Sequence, residues 1–110
     1  MPKQSRLTRE DISALSKIRP KTYFGRFFTL AAYSADQNTK VACVVAKKNV
    51  RHATDRNTVK RRVREIIRAL LPTLPAGSYI IYTKKKANEA TFADIQADIQ
   101  GLLKQVKVLG

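Results

Sequence analysis

The densest group of chemically useful side chains in this sequence lies between Lys47 and Arg68. This segment holds nine of the 22 Lys and Arg residues and two of the eight acids, so it carries +7 of the net charge of +14. Its pattern is Lys47-Lys48, a short loop, and then Arg56-Asn57-x-x-Lys60-Arg61-x-x-Arg64-Glu65. Cations at this density beside an apolar helical pattern are typical of a surface that binds a polyphosphate. The segment therefore predicts that the protein recognises RNA or DNA electrostatically.

The second half of the segment has the periodicity of an amphipathic helix over residues 56–71, which ends before Pro72. Its apolar stripe consists of Val59, Val63, Ile66, Ile67 and Leu70. Its neighbouring polar stripe, the basic stripe, consists of Asn57, Lys60, Arg61, Arg64 and Arg68. The apolar stripe is predicted to pack on a core and the basic stripe to contact phosphates. A solvated charged face is the alternative.

Lysines also close two predicted strands, at Lys47-Lys48 and at residues 84–86. Such lysines either contact phosphates or protect a sheet edge from aggregation. Asn57 either assists helix capping or contacts a phosphate, a ribose or a metal-bound water.

The sequence offers little for hydrolysis by the polypeptide itself. Metal-dependent phosphodiester cleavage needs clustered carboxylates, whereas the eight acids are scattered along the chain. A metal-free route commonly uses two acid–base groups, but His52 is the single histidine. No zinc-ligand spacing and no glycine-rich phosphate loop is present. A nuclease that consists of this protein alone is therefore disfavoured.

Length and composition predict a single domain over residues 1–110 with one modest core, since 44% of the residues are hydrophobic. No apolar run approaches the roughly 20 residues that a membrane span needs, and no secretory signal is visible. The single cysteine, Cys43, cannot form an internal disulfide and is expected to be a buried apolar residue. These features indicate a cytoplasmic protein with no membrane association.

The periodicities predict an α/β chain in the order helix, strand, strand, helix, strand, helix. The predicted elements are a helix over 8–17, strands over 23–33 and 41–46, the helix over 56–71, a strand over 78–83, and a final helix opened by Thr91 and Asp94. We expect the first two strands to form a hairpin and the middle strand–helix–strand segment to form a parallel crossover. Helices on one face would leave the other face of the sheet partly open.

Alternation along the first strand places its aromatic residues on two faces. Phe24 and Phe28 share a face with Leu30 and are assigned to the core. Phe27 and Tyr33 lie on the opposite face, where they are candidates for base stacking.

The segment 45–51, followed by the motif from Arg56 to Glu65, resembles the signature of the bacterial ribonuclease P protein family. The order of elements resembles that family over nearly the whole chain. The resemblance implies an α/β fold built as an α+β two-layer sandwich, with a left-handed β–α–β crossover where the general rule predicts a right-handed one. It also implies an accessory subunit of an endoribonuclease, bound 1:1 to a catalytic RNA and contacting the 5′ leader of precursor tRNA. The Mg²⁺ ions would be bound mainly by the RNA, and none by the protein alone.

The resemblance also implies a role for individual residues. The implied RNA contacts are Lys47, Lys48, Arg51, Arg56, Asn57, Lys60, Arg61, Arg64 and Arg68. The candidates for a cleft that holds the leader are Ile12, Phe27, Tyr33, Lys84 and Lys85. The chain departs from the family pattern at Thr58, where arginine is common, and at Ile12 and near Ala31, where aromatic residues are common. Phe27 or Tyr33 is expected to compensate for the missing aromatics.

A DNA-binding or ribosome-associated basic module is the alternative function. Its DNA version is disfavoured because no close helix-turn-helix pair precedes Arg56.

Overall fold

The computed structural model describes residues 7, 9–15, 17–34 and 39–109. Three helices and four strands follow one another along these residues. They are α1 (Arg9–Leu15), β1 (Lys21–Phe24), β2 (Phe28–Ser34), β3 (Lys40–Val44), α2 (Ala53–Leu70), β4 (Gly77–Thr83) and α3 (Phe92–Leu109). The predicted α+β class is confirmed. The predicted first helix extended to Thr8 and Lys17, of which Thr8 lies outside the described residues.

The predicted strand over 23–33 is in fact two strands. β1 and β2 form an antiparallel hairpin in which Tyr23 pairs with Leu30 and Phe24 with Thr29. Residues 25–27 form the turn, so the alternation of side chains does not continue through them. Phe24 therefore points away from the core and is 69% exposed, while Phe27 is buried in it. The assignment of Phe24 to the core and of Phe27 to the open face was wrong for this reason.

The sheet order is β1-β2-β4-β3. β4 pairs antiparallel with β2 and parallel with β3, so the hairpin predicted between the segments 23–33 and 41–46 is absent. β4 has the sequence GSYIIYT and is largely buried on both faces. An apolar strand of this kind is most stable in the centre of a sheet, which explains its insertion between β2 and β3. β3, α2 and β4 form the predicted parallel crossover, and its hand stays a prediction of the resemblance.

The main core lies between one face of the sheet and helices α2 and α3. Side chains from all four strands meet the apolar stripe of α2 and that of α3 there. This cluster includes Phe28, Leu30, Val63, Ile67, Ile81, Ile95, Ile99 and Leu102. The opposite face of the sheet, the second face, carries a smaller cluster in which Leu7, Ile12 and Leu15 pack against Ala31, Tyr33 and Ile80. Helix α1 thus covers part of the face that the sequence predicted to be open.

The helix starts follow the local sequence to different degrees. Thr91 and Asp94 form the predicted capping pair of α3: the Asp94 backbone N–H donates to Thr91 Oγ1 at 3.1 Å, and the Thr91 N–H donates to the Asp94 carboxylate at 3.0 Å. Helix α2 begins at Ala53 with His52 as its N-cap, three residues earlier than predicted, and His52 makes no side-chain capping bond. Thr54 and Asp55 lie inside the first turn instead of capping it.

Four chain segments meet at one end of the sheet, which we call the basic end. They are the β1–β2 turn, the loop after β3, the start of α2 and the residues after β4. They meet because β3 and β4 are parallel and α2 returns the chain between them, so both strands end at the same side. The Lys47-Lys48 pair and the residues 84–86 are brought together by this topology.

Candidate nucleic-acid interface

The basic stripe occupies the side of α2 next to its buried stripe, as the periodicity predicted. Val59, Val63, Ile66 and Ile67 are buried. Asn57, Arg61 and Arg68 are exposed, whereas Lys60 and Arg64 are half-buried. Among the residues that the structure describes, no carboxylate forms an ion pair with a cation of this stripe. The ion pair in the described part of the chain joins Lys40 to Asp11, outside the stripe. The positive charge of the stripe is therefore available to an anionic partner.

Arg56 has an internal role at the start of α2. Its guanidinium donates to the backbone oxygens of Val50 and Arg51, at 3.1 and 2.7 Å. These bonds tie the loop after β3 to the first turn of the helix. The guanidinium has five N–H donors, so the remaining ones can still meet a phosphate.

Asn49 fixes the same loop to the end of β4. Its side-chain amide donates to the Thr83 backbone oxygen at 2.9 Å and to Thr83 Oγ1 at 3.2 Å. The Thr83 hydroxyl also accepts a bond from the Ala46 backbone N–H at 3.1 Å. Both residues are buried, and removing one partner would leave polar groups without hydrogen bonds. Asn49 and Thr83 thus hold two lysine-bearing segments side by side.

A depression lies where these two segments meet. It has a volume of about 490 Å³ and is lined by Lys48, Asn49, Thr83, Lys84 and Lys85. Three ammonium groups around one concavity form a positive site that suits a phosphate. The structure therefore brings together the two lysine groups that the sequence predicted separately.

The β1–β2 turn is anchored at this end by a carboxylate of α3. Asp98 accepts hydrogen bonds from the backbone N–H groups of Arg26, Phe27 and Phe28 at 2.7, 3.0 and 3.0 Å. Gly25 is required next to it, because a Cβ there would lie 2.6 Å from an Asp98 oxygen. Lys84 adds a bond from its ammonium to the Gly25 backbone oxygen at 2.8 Å. Asp98 was not among the predicted site residues, because no local sequence pattern links it to a turn about 70 residues earlier.

The five residues predicted to line the leader cleft lie in three different places in the structure. Ile12 and Tyr33 lie together on the second face, and Lys84 and Lys85 lie at the basic end. Phe27 lies in the core beneath the helices, with Arg26 5.1 Å from its ring centroid, so it is not available to line a cleft on the second face. A buried Phe27 therefore does not compensate for the missing aromatics.

Two aromatic residues on the second face were not predicted as site residues. Phe24 was assigned to the core, and Tyr82 was not considered, although the alternation along β4 places it opposite Tyr79 and Ile81. Burial, and to a smaller extent the neighbouring Tyr33, raise the pKa of Tyr82. That shift agrees with its position at the margin of the small cluster on this face.

Residues 7, 9–15, 17–34 and 39–109 contain no group of three His, Cys, Asp or Glu side chains placed to hold a metal ion. In the same part of the chain, no helix is both long and apolar enough to cross a membrane. His52 is exposed at the start of α2.

These features define a class: a basic α+β protein with a cation-lined end and a helix that presents unpaired arginines. The family model for ribonuclease P matches residues 1–107, and the chain belongs to the ribonuclease P protein family.

Similar proteins agree with this membership. The ribonuclease P protein component of Finegoldia magna is 32% identical over 80 residues, which cover 72% of this chain and 70% of that one. The component of an Exiguobacterium species is 30% identical over 110 residues, which cover 98% and 95%. The structure of the RNase P protein of Staphylococcus aureus superposes with a TM-score of 0.85, at 23% identity, over 98% of this chain and 100% of that one. This last similarity shows the fold.

Proposed function

We propose that this protein is the RNA-binding subunit of a ribonuclease P ribonucleoprotein. It binds the catalytic RNA and the 5′ leader of precursor tRNA, and assists the RNA-catalysed, metal-dependent removal of that leader. The observation that carries the proposal is the unpaired basic stripe of α2 beside the lysine-lined depression, in a chain of this family.

The mechanism of assistance is electrostatic. The catalytic RNA and its substrate are both polyanions, and their mutual repulsion opposes binding. A protein with a net charge of +14 that contacts both lowers this repulsion and raises the local affinity for substrate and for cations. We assign the basic stripe and the loop cations Lys47, Lys48 and Arg51 to the catalytic RNA, and the depression with Lys84 and Lys85 to the leader.

The chemistry belongs to the RNA in this proposal. The described carboxylates do not converge on a point that would suit Mg²⁺, so no protein metal site is assigned. When bound by the RNA, Mg²⁺ supplies an activated water and stabilises charge in phosphodiester hydrolysis. The contribution of this chain is to bind and orient the two RNAs.

The test is cleavage of precursor tRNA at low Mg²⁺ by the cognate catalytic RNA, with and without the protein. Cleavage that requires both components is the expected result. Cleavage by the protein alone would overturn the assignment of chemistry to the RNA. If the catalytic RNA is active at high Mg²⁺ but the protein does not stimulate it at low Mg²⁺, the subunit proposal fails. Competition with duplex DNA and ribosomal RNA then separates the DNA-binding and ribosome-associated alternatives.

A matched pair of variants tests the role of the basic stripe. Arg61→Ala and Lys104→Ala each remove one positive charge from an exposed position, but Lys104 belongs to α3 and not to the basic stripe. We expect Arg61→Ala to weaken assembly with the catalytic RNA roughly tenfold and to reduce the salt slope of log K by about 1. Lys104→Ala should leave the slope unchanged. Equal effects of the two variants would mean that only net charge matters and that Arg61 makes no direct phosphate contact.

A further inference from the structure

A pocket lies at the end of the sheet opposite the basic end, where the starts of β1 and β4 meet the last turn of α3. It has a volume of about 240 Å³, and its lining includes Arg19, Lys21, Tyr23, Tyr79 and Val106. The last three belong to the main core, so the pocket opens on the helix side of the sheet and not on the second face. The seven residues of β4 separate it from the basic end by about 20 Å. We call it the distal pocket.

Packed residues shape the floor of the distal pocket. Tyr79 is 3% exposed, and its hydroxyl donates to the Pro75 backbone oxygen at 2.6 Å, which holds the connector between α2 and β4 against the strand. Gly77 allows the chains to approach here, because a Cβ would lie 2.5 Å from the Tyr33 backbone oxygen. The concavity is therefore formed by the packing of the sheet and its connector.

The Tyr23 hydroxyl is an unused hydrogen-bonding group in the distal pocket. Tyr23 is 7% exposed, yet among the described residues its hydroxyl has no hydrogen-bond partner. Every fully buried polar side-chain atom of the described residues does have a partner, so this hydroxyl reaches solvent. Since Tyr23 lines the pocket, the pocket is the opening that its hydroxyl reaches. Burial, and to a smaller extent Tyr23, raise the pKa of Tyr79, which agrees with two neighbouring tyrosines at this wall.

Two cations lie beside this hydroxyl without a counter-charge. Arg19 and Lys21 are exposed, and in the described part of the chain neither forms an ion pair or a side-chain hydrogen bond. No carboxylate is among the described residues that line the pocket. A guanidinium, an ammonium and a phenolic hydroxyl around one concavity are donors that suit the oxygens of a phosphate.

We infer that the distal pocket is a binding site for a single nucleotide, whose phosphate is held by Arg19, Lys21 and the Tyr23 hydroxyl. The ribose and base lie against the apolar wall that includes Pro75 and Val106. The inference goes beyond the proposed function, which uses only the basic end and the basic stripe of α2. A free mononucleotide and an unpaired nucleotide of an RNA chain present the same chemistry to this pocket.

Size and charge favour this class of ligand. Pockets for drug-sized ligands measure about 300–1,000 Å³, so a pocket of about 240 Å³ takes one nucleotide at most. A phosphomonoester carries a charge of about −1.5 to −2 at pH 7, which two cations can neutralise, whereas a carboxylate carries one charge. The apolar wall favours an organic phosphate over inorganic phosphate, because it gains contacts with the body of the ligand.

Adenosine monophosphate, AMP, is the probe, titrated into the full-length protein and followed through the backbone amide signals in NMR spectra. We expect saturable shifts at residues 21–23 and 76–79, and weaker binding of inorganic phosphate. Arg19→Ala should weaken AMP binding roughly tenfold, because charge-assisted bonds to phosphate are strong. Tyr23→Phe should weaken it several-fold and leave the thermal midpoint unchanged, because the hydroxyl has no partner in the protein.

Lys104→Ala is the matched control, since it removes one positive charge from an exposed position of α3 that does not line the pocket. It should leave the affinity for AMP unchanged. An equal loss in Arg19→Ala and Lys104→Ala would overturn the inference, because net charge alone would then explain binding. Shifts confined to residues 48–51 and 84–86 would also overturn it, because AMP would then lie at the basic end. Unchanged affinity in both Arg19→Ala and Tyr23→Phe would overturn it as well.

Assembly with the cognate catalytic RNA identifies the source of the nucleotide. If the RNA supplies it, Arg19→Ala weakens assembly more than Lys104→Ala does, and AMP competes with assembly. If the ligand is a free nucleotide, the two variants assemble equally and AMP binds the assembled ribonucleoprotein. Either result supports the site. Absence of AMP binding by a protein that still stimulates cleavage would refute the distal pocket and leave the proposed function intact.

Discussion

Individual residues at the junction of α2 and β3 show how the basic stripe is supported. Burial raises the pKa of the Cys43 thiol to about 12, while the nearby Arg64 and Lys60 act weakly in the opposite direction. The two cations are thus close enough to β3 to affect a side chain of the core. Both side chains are half-buried, which is common for long basic residues whose aliphatic stems lie on apolar surface while their charged ends reach water. Cys43 packs against the core together with Val41, as the alternation of β3 predicted, but it is only partly buried.

Cys43 should therefore be unreactive in the native protein. At pH 8 a thiol with a pKa of about 12 has a thiolate fraction on the order of 10⁻⁴, and the thiolate is the reactive form. We expect labelling by a chromogenic disulfide reagent to be slow in buffer and fast in concentrated urea, where burial is lost. Labelling of the folded protein at the rate of a free cysteine would contradict this burial.

The start of α2 carries positive side chains where the helix dipole favours negative ones. A helix N-terminus favours negative charge, yet the first turn of α2 carries Arg56 beside Asp55, and Lys60 follows in the second turn. His52 at the N-cap adds no side-chain hydrogen bond. Cations here oppose the helix dipole, so the arrangement favours binding of an anion over stability of the isolated helix.

Among the elements, the β1–β2 hairpin depends most on a distant residue. Asp98 accepts three backbone N–H groups of the turn, and Gly25 leaves space for its carboxylate. This turn places Phe24 on the second face of the sheet. It also supplies the Gly25 backbone oxygen that accepts a hydrogen bond from the Lys84 ammonium. Helix α3 therefore helps to position the candidate leader site through the bonds of Asp98 to this turn.

We expect Asp98→Ala to lower the free energy of unfolding by about 2 kcal/mol, because the N–H groups lose a charged acceptor. Gly25→Ala should also destabilise, since its new Cβ meets the Asp98 oxygens at 2.6 and 2.8 Å. Gly25 has no positive φ, so this collision is the main penalty for alanine there. In the Asp98→Ala background the Gly25→Ala penalty should largely disappear. Urea unfolding of the four proteins measures the coupling, and additive effects would show that the two sites are independent.

The start of α3 should respond to acid through Asp94. Hydrogen bonds from the Thr91 backbone and side chain lower the pKa of Asp94 below its ordinary value of 3.8, and Arg26 adds a smaller effect. A lowered pKa in the folded state stabilises the protein above the unfolded value, and the stabilisation is lost as pH falls through the folded pKa. Asp94→Asn removes this titration. In urea unfolding, the advantage of wild type over Asp94→Asn should be full at pH 6 and should shrink below pH 4. A constant difference across this range would exclude the effect.

At the scale of the whole molecule, the net charge of +14 is the dominant electrostatic feature. Within the described part of the chain the ion pair Lys40–Asp11, at 4.0 Å between partly exposed groups, contributes little. Self-repulsion among the remaining cations destabilises the compact state, and it is relieved when an anion binds. The free protein is thus expected to gain stability from its polyanionic partners.

Multivalent anions should raise the melting temperature more than monovalent ones at equal ionic strength. An anion that binds only the folded state at 100 times its Kd adds about 2.7 kcal/mol. We expect phosphate or sulfate to raise the thermal midpoint by several degrees relative to chloride, and Lys84→Ala to reduce this gain more than Lys104→Ala. An equal response to all anions would indicate screening alone, without a specific site.

The sequence by itself determined the features that depend on neighbouring residues. The two stripes of α2, the capping pair of α3 and the apolar strand β4 follow from patterns of a few residues, and the structure confirms them. The motif that indicates the family is equally local, and the match to the family model confirms it. Local hydrogen bonding and side-chain geometry fix such features.

The tertiary structure decided what depends on residues far apart in the chain. The position of β4 between β2 and β3 sets which strands pair, and the turn at Gly25 reverses the faces of Phe24 and Phe27.

Two sets of hydrogen bonds join segments that are far apart in the chain. The bonds from Asn49 to Thr83 span 34 residues, and those from the β1–β2 turn to Asp98 span about 70. No local pattern contains these pairings, because their energies arise only when the whole sheet and its helices pack together. The cations and the aromatic rings can be read from the sequence, but their placement around one end of the sheet is a property of the fold.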